Sequence, residues 1–93
     1  YYREQYLRML ESLAGVAEKK QEWTSSMDLA QRILREDPFR EDIHCLLMRG
    51  HAALGNRVAV KEQYETVRAL LQKELGVEPA MQTQKAYREL MES

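Results

Sequence analysis

The sequence repeats itself with a spacing of 34 residues. Residues 38–79 predict two amphipathic helices, joined by a Gly-Asn turn and ended by a Gly-Val-Glu-Pro segment. When this stretch is laid over residues 4–38, Leu13 falls on Leu47. A period of about 34 residues is the length of one helical hairpin that stacks on its neighbours. The repeat therefore constrains the chain to a row of stacked helical hairpins.

The match between the two units is imperfect. In the same register Ala30 falls on Tyr64. Small residues are expected where the two helices of a hairpin cross, but these positions hold Ser26 and Val60. Pro38 closes the first unit, about where repeats of this length place a proline. We interpret the two units as degenerate copies of a tetratricopeptide-type hairpin.

Hydrophobic periodicity predicts five helices and no strand. Their expected ranges are about 2–19, from about 23 to the Asp37-Pro38 stop, 41–54, 58–75 and 81–91. Each hairpin of a repeat protein needs a neighbour to cover its apolar face, so the fifth helix is expected to act as a cap. The predicted fold is an all-α, tetratricopeptide-like right-handed stack of about five antiparallel helices: two hairpins plus a capping helix.

The first helix carries apolar residues at helical spacing, which predict one apolar stripe. These residues are Tyr6, Met9, Leu10, Leu13 and Ala17. Core packing is the expected role of Tyr6. For Tyr1 and Tyr2, core packing and contact with a partner remain open alternatives, because aromatic residues beyond the needs of a small core are common at interfaces.

Several residues predict local features of the helices. Ser25 and Asp28 are a candidate capping box at the start of the second helix. Gly50 is expected to allow a close approach by a neighbouring element. Gly76 is expected to end the fourth helix, because glycine adopts the left-handed conformation found at helix ends.

Length and composition predict one small domain over residues 1–93, because 44% apolar residues suffice for a modest core. The net charge of −1 gives no reason to expect binding to nucleic acid or membrane. A single cysteine, with no signal peptide or membrane span, favours the cytoplasm. The chain opens on Tyr1 in helical pattern, without an initiator Met, so we expect a piece of a longer polypeptide.

Candidate reactive groups are few, and we predict no catalytic residue, cofactor or metal. His44 and His51 are seven residues apart, which separates them by about 10 Å along a helix, too far for one zinc ion. Both are expected to pack between helices. Cys45 would be redox-sensitive if it were exposed beside Arg49, but a half-buried, inert thiol is the expected state.

Charged residues alternate in sign at helical spacings such as Glu36–Arg40 and Glu65–Arg68, a pattern typical of solvated helix faces. The basic residues considered for nucleic-acid binding are Arg32, Arg35, Arg40, Arg49, Arg57, Lys61, Arg68 and Lys73. They are spread over three predicted helices and interrupted by acids, so a solvated surface is expected instead. Direct binding by these 93 residues would predict salt-sensitive retention on DNA; we expect none at physiological salt.

Several segments strongly resemble the bacterial transcriptional activator domain, the tetratricopeptide-like module of antibiotic-regulatory-type regulators. The segments are LREDPFRED at 34–42, LLMR at 46–49, LGNR at 54–57, QYE at 63–65 and ELGVEP at 74–79. Two places depart from the family pattern. Ala80-Met81-Gln82 replaces the usual Ser-Pro-Glu start, which leaves the fifth helix without an obvious cap, and Gln21-Glu22-Trp23 replaces a Gly-Asp-type turn.

The resemblance implies a non-catalytic interaction module that assists a winged-helix DNA-binding domain of the same chain. The expected modes are packing on that domain, dimerisation, or contact with RNA polymerase. The residues expected to line the concave interaction groove are Arg8, Glu11, Asp42, Cys45 and Arg49. The alternative is a general peptide-binding scaffold unrelated to transcription, which further 34-residue repeats upstream would favour.

Overall fold

The computed structural model describes residues 2–92, which form five helices and no strand. The helices are α1 (Tyr2–Lys19), α2 (Trp23–Glu36), α3 (Glu41–Ala53), α4 (Arg57–Leu75) and α5 (Met81–Glu92). Each begins and ends within about one residue of its predicted range. α1 packs on α2 and α3 on α4, α2 contacts α3, and α5 lies against both α3 and α4. The predicted all-α, tetratricopeptide-like stack with a fifth helix on the second hairpin is confirmed.

The first hairpin is held together by small residues at the crossing of α1 and α2. Ala14, Ala30 and Ser26 are almost completely buried there. The hydroxyl of Ser26 donates a hydrogen bond of 3.1 Å to the backbone carbonyl of Ala14, so its polar group is satisfied inside the core. At the matching position of the second hairpin, Val60 is also buried. Both crossing positions predicted from the repeat therefore lie in the core.

The apolar stripe predicted on α1 was only partly correct. Leu10 and Ala17 are buried as expected, but Tyr6, Met9 and Leu13 lie largely in solvent. The buried face of α1 consists instead of Leu7, Leu10, Ala14 and Ala17. Two apolar strips run side by side along this helix, and periodicity alone does not say which one α2 covers.

α5 closes the second hairpin through a separate apolar cluster. Cys45, Met48 and Val60 form its buried centre, and α5 contributes Ala86, Tyr87, Leu90 and Met91. Tyr64 of α4 stacks on Tyr87 of α5, with ring centroids 4.1 Å apart and planes inclined by 7°. The stack joins α4 to α5, as expected for a capping helix.

The ends of α2 and α4 differ in how well the sequence predicts them. The capping box proposed for α2 was wrong: the helix begins at Trp23 after Glu22, and no side chain caps it, so Ser25 already lies in the first turn. At the start of α4, the side-chain oxygen of Asn56 accepts a hydrogen bond of 3.0 Å from the Ala59 amide. Gly76 ends α4 in the left-handed conformation, at φ 65°, as predicted.

α5 receives its cap from a distant part of the chain. One carboxylate oxygen of Glu41, in the first turn of α3, accepts hydrogen bonds from the Ala80 amide at 2.9 Å and from the Thr83 hydroxyl at 2.8 Å. The side chain of Thr83 is buried, so this contact satisfies a polar group in the interior. The unusual sequence before α5 therefore costs the helix no cap.

The close approach predicted at Gly50 is confirmed. A methyl group placed on Gly50 would lie 2.6 Å from Cγ of Met27 on α2, closer than two carbon atoms can pack. Gly50 thus lets α3 lie directly against α2. Within residues 2–92, no helix is long and apolar enough to cross a membrane. Tyr1 lies outside the described residues, and Tyr2 is exposed.

Candidate interaction site

The predicted groove residues lie on α1 and α3, the first helices of the two hairpins. Arg8 and Glu11 belong to α1, whereas Asp42, Cys45 and Arg49 belong to α3. Within a helix of about 3.6 residues per turn, Asp42, Cys45 and Arg49 are at one-turn and two-turn spacings and share one face. The structure brings three of the five into ion pairs between or at the ends of these helices.

Arg40 joins Glu11 of α1 to Asp42 of α3. Its guanidinium group contacts the Glu11 carboxylate and lies 2.8 Å from Oδ2 of Asp42. Burial alone would raise the pKa of Asp42, but the hydrogen bond and the charge of Arg40 outweigh it, and the pKa is lowered. Asp42 is therefore held in its charged form.

Glu36 and Arg40 have helical spacing, but they do not lie on one helix. α2 ends at Glu36, so Arg40 stands outside that helix, at the start of α3. Glu36 instead contacts Arg3 near the beginning of α1. The spacing of four residues favours an ion pair only where both residues belong to one helix. The Glu65–Arg68 pair, which does lie within α4, is present at 3.7 Å.

Arg49 forms the second link between α1 and α3. Its Nε and Nη2 atoms donate to the two carboxylate oxygens of Glu18 at 2.5 and 3.1 Å, a bidentate contact. The hydrogen bond to Glu18 is the main reason that the pKa of Arg49 is raised. Both groups remain partly exposed, so this ion pair adds little stability, although it links α1 to α3.

Cys45 and Arg8 differ in accessibility. Cys45 is buried, and burial raises the pKa of its thiol, which outweighs the lowering effects of Thr83 and Arg49. A protonated, buried thiol is unreactive, which fits the inert state expected for it. Arg8 is exposed and, within residues 2–92, forms no ion pair. Among the charged residues of the predicted groove, Arg8 thus differs from the three that form ion pairs within residues 2–92: Glu11, Asp42 and Arg49.

His44 is a packing residue with both ring nitrogens engaged. Nε2 lies 2.9 Å from the Pro38 carbonyl oxygen, and Nδ1 lies 2.8 Å from the amide nitrogen of Gln63. The neutral tautomer that donates from Nε2 and accepts at Nδ1 fits both partners. Burial lowers the pKa of His44, against the raising effects of Pro38, Glu41 and Asp42. Across residues 2–92, no three His, Cys, Asp or Glu side chains are grouped to hold a metal ion.

Half of the basic residues considered for nucleic-acid binding are paired with acids. Ion pairs within the described residues hold four of the eight: Arg32, Arg40, Arg49 and Arg68. Paired guanidinium groups add little net positive potential to the surface. These four pairs therefore reduce the positive charge that the set presents within residues 2–92.

An exposed apolar row on α1 is the surface feature that sequence analysis missed. Tyr6, Met9, Leu13 and Val16 are 41%, 50%, 48% and 50% exposed. They follow one another at spacings of three, four and three residues, so they lie along one face. We call this row the α1 stripe. Tyr2, one turn earlier, is also exposed.

The 34-residue register shows why the α1 stripe is unusual. Its members Met9, Leu13 and Val16 correspond to Ile43, Leu47 and Gly50 of α3. Those three α3 residues are buried, and Leu47 belongs to the cluster that α2 helps to form. The same face is thus covered by a preceding helix in the second hairpin and exposed in the first. The register would have predicted this difference had it been combined with the helix order.

Comparison with known proteins identifies one family. The profile of the bacterial transcriptional activator domain matches residues 1–91. No curated protein and no solved structure matches the chain. The family match covers nearly the whole sequence, and it agrees with the motifs at residues 34–42 and 74–79 that carried the resemblance. The chain therefore belongs to the bacterial transcriptional activator domain family.

Proposed function

We propose that this chain is the non-catalytic interaction module of a cytoplasmic, DNA-binding activator of the antibiotic-regulatory type. The module assists a winged-helix domain of the same polypeptide by packing on it, by dimerising, or by contacting RNA polymerase. The family match over residues 1–91 carries this proposal. It also favours a role in transcription over a general peptide-binding scaffold.

The charged residues on α1 and α3 support a role in binding. Asp42 is 63% exposed at its side chain and Arg49 is 42% exposed, so both can reach a partner while they keep their internal pairs. Arg8 adds an exposed positive charge that forms no ion pair within residues 2–92. Exposed charges of both signs on α1 and α3 suit a polar partner segment, because such charges select among partners more than they add affinity.

The test reverses two groove charges in the full-length regulator. Asp42→Lys together with Arg49→Glu should lower reporter activation from the target promoter several-fold. Helicity and thermal stability should change little, because exposed ion pairs contribute only about 0–1 kcal/mol each. The matched control is Glu65→Lys with Arg68→Glu, which reverses an exposed pair on α4. Equal activation by both double variants would refute the assignment of these residues to a binding surface. Full activation by a regulator that lacks the module would refute the proposed function.

A further inference from the structure

The α1 stripe lies on the side of α1 that faces away from the rest of the stack. Met9 and Glu11 are two residues apart, as are Val16 and Glu18. Residues at that spacing point to nearly opposite sides of a helix with about 3.6 residues per turn. Glu11 contacts Arg40 and Glu18 contacts Arg49, so the glutamates face α3. The stripe is therefore the open end of the row of hairpins.

The repeat shows what kind of element fits this open end. In the second hairpin, the equivalent face of α3 packs against a helix, α2, and Met27 of that helix touches Gly50. The stripe residues recur at spacings of three and four, which is the pattern by which one helix receives the side chains of another. A helix with an apolar row of its own is thus the matching occupant. An extended peptide or a flat surface would leave the spaces between the stripe residues unfilled.

Charge around the α1 stripe indicates the polar character of that helix. Lys20 lies one turn beyond Val16, bonded through its amide to the Val16 carbonyl at 3.1 Å, and Arg8 and Lys19 border the same side. All three are exposed and, within residues 2–92, form no ion pair. On the border towards α2, Arg3 is neutralised by Glu36. Glu4, one turn before Arg8, is the exposed acid of α1 on this side, so three positive charges stand against one negative charge and the net charge beside the stripe is positive.

A second copy of this chain fits the stripe less well. Two α1 helices packed antiparallel about a twofold axis place the same border of each copy side by side. Arg8 and Lys19 of one copy would then lie along the same positive border of the other, and like charges at an interface are unfavourable. Glu11 and Glu18 are turned towards α3, and Glu4, one turn before Arg8, offsets only part of the positive charge. The surface favours a partner whose charge is opposite to its own.

We propose that the α1 stripe docks an amphipathic helix of a partner domain, bordered by acidic residues, in the way that α2 docks on α3. The inference deepens the proposed function, since the domain that the module assists would supply this helix. Apolar side chains of the partner fill the row from Tyr6 to Val16. Its Asp or Glu residues pair with Arg8, Lys19 and Lys20 along one border.

A selection experiment on the 93-residue chain tests this directly. The probe is a display library of amphipathic helices about three heptads long, with apolar positions fixed as Leu and bordering positions randomised. Selected peptides should carry Asp or Glu on one border and should shift the amide resonances of α1. Leu13→Glu should weaken their binding at least about tenfold, or about 1.4 kcal/mol. The matched control Val58→Glu, which alters an exposed apolar residue on α4, should leave binding unchanged.

A second arm tests the charge. The double variant Arg8→Glu with Lys19→Glu should lose affinity for acidic peptides and gain affinity for the same peptides with Lys borders. Selection of neutral or basic borders, or equal binding to Leu13→Glu, would overturn the proposal. So would sedimentation of the chain as a dimer that Leu13→Glu dissociates. If the peptides still bind the α1 stripe but promoter activation does not depend on the module, only the proposed function is refuted.

Discussion

The second hairpin, α3–α4, is covered on one side by α2 and on the other by α5, whereas among residues 2–92 the first hairpin, α1–α2, has a neighbour on one side only. Leu47 and Leu13 occupy the same position of the repeat, yet Leu47 is 0% exposed and Leu13 is 48% exposed. The two residues thus differ in their neighbours and not in their local pattern. In a stacked repeat, an exposed position whose equivalent is buried marks the side that can receive another element.

The comparison of these two leucines gives the largest expected effect. Leu47→Ala should lower the free energy of unfolding by about 3 kcal/mol, because it leaves a cavity in the core. Leu13→Ala should lower it by less than about 1 kcal/mol, because the side chain already contacts water. Urea denaturation followed by circular dichroism measures both. Equal losses would mean that the α1 stripe is buried in solution and that the first hairpin is covered after all.

The contact between α3 and α5 should be the next in size. Glu41→Ala should cost about 2 kcal/mol of unfolding free energy, because it removes the cap of α5 and leaves the buried Thr83 hydroxyl without an acceptor. Glu41→Gln, which keeps an oxygen acceptor, should lose clearly less. If urea denaturation gives the same stability for the alanine variant as for the natural chain, α5 does not depend on this cap.

Two glycines on equivalent first helices of the hairpins should respond with opposite sign. Gly50→Ala should destabilise the fold by about 1 kcal/mol, because the clash with Met27 outweighs the better helix propensity of alanine. Gly15→Ala, where an added methyl group meets nothing within 4 Å, should stabilise it by about 0.5–1 kcal/mol. Thermal melts of both variants measure the difference. A stabilising Gly50→Ala would show that α2 and α3 are farther apart than described.

The smallest effect concerns pH and the second hairpin. The pKa of His44 is lowered in the fold from 6.5, so the unfolded chain binds more protons as the pH falls through that value. Stability should therefore be complete above about pH 6.5 and decline below it. The pKa of His51 is lowered as well and acts in the same direction. Urea midpoints between about pH 7.5 and 5.5 measure this, above the range where carboxylates titrate.

The matched variant for the pH experiment is His44→Gln. It removes the titrating ring at the contact between Pro38 and Gln63, so most of the decline in stability below neutral pH should disappear. Persistence of the full decline in this variant would assign the pH dependence to other groups.

Features determined by local sequence could be predicted. The helices, the stop at Gly76 and the close approach at Gly50 all follow from periodicity and from backbone preferences of single residues. Ser26 and Val60 were located in the core because the repeat assigns them to helix crossings. The predicted groove residues lie on α1 and α3, and their role stays a prediction; the ionic partners of Glu11, Asp42 and Arg49 were not foreseen.

Features determined by distant contacts could not be predicted from one sequence. Glu41 caps α5 from a position 42 residues before Thr83, and no local sequence pattern predicts a hydrogen bond between residues so far apart. The spacing of Glu36 and Arg40 suits one helix face, but α2 ends before Arg40. On α1, both apolar strips have helical spacing, and only the position of α2 decides which one is buried.

Site-specific photocrosslinking in the full-length regulator tests most directly whether the open end of the first hairpin is a docking surface. A photoreactive phenylalanine analogue replaces Leu13 in one variant and Val58, another exposed apolar residue, in the control. Mass spectrometry should locate crosslinks from position 13 on one acidic amphipathic helix outside residues 1–93, and none there from position 58. No crosslink from position 13, or the same scattered products from both positions, would contradict docking at the α1 stripe.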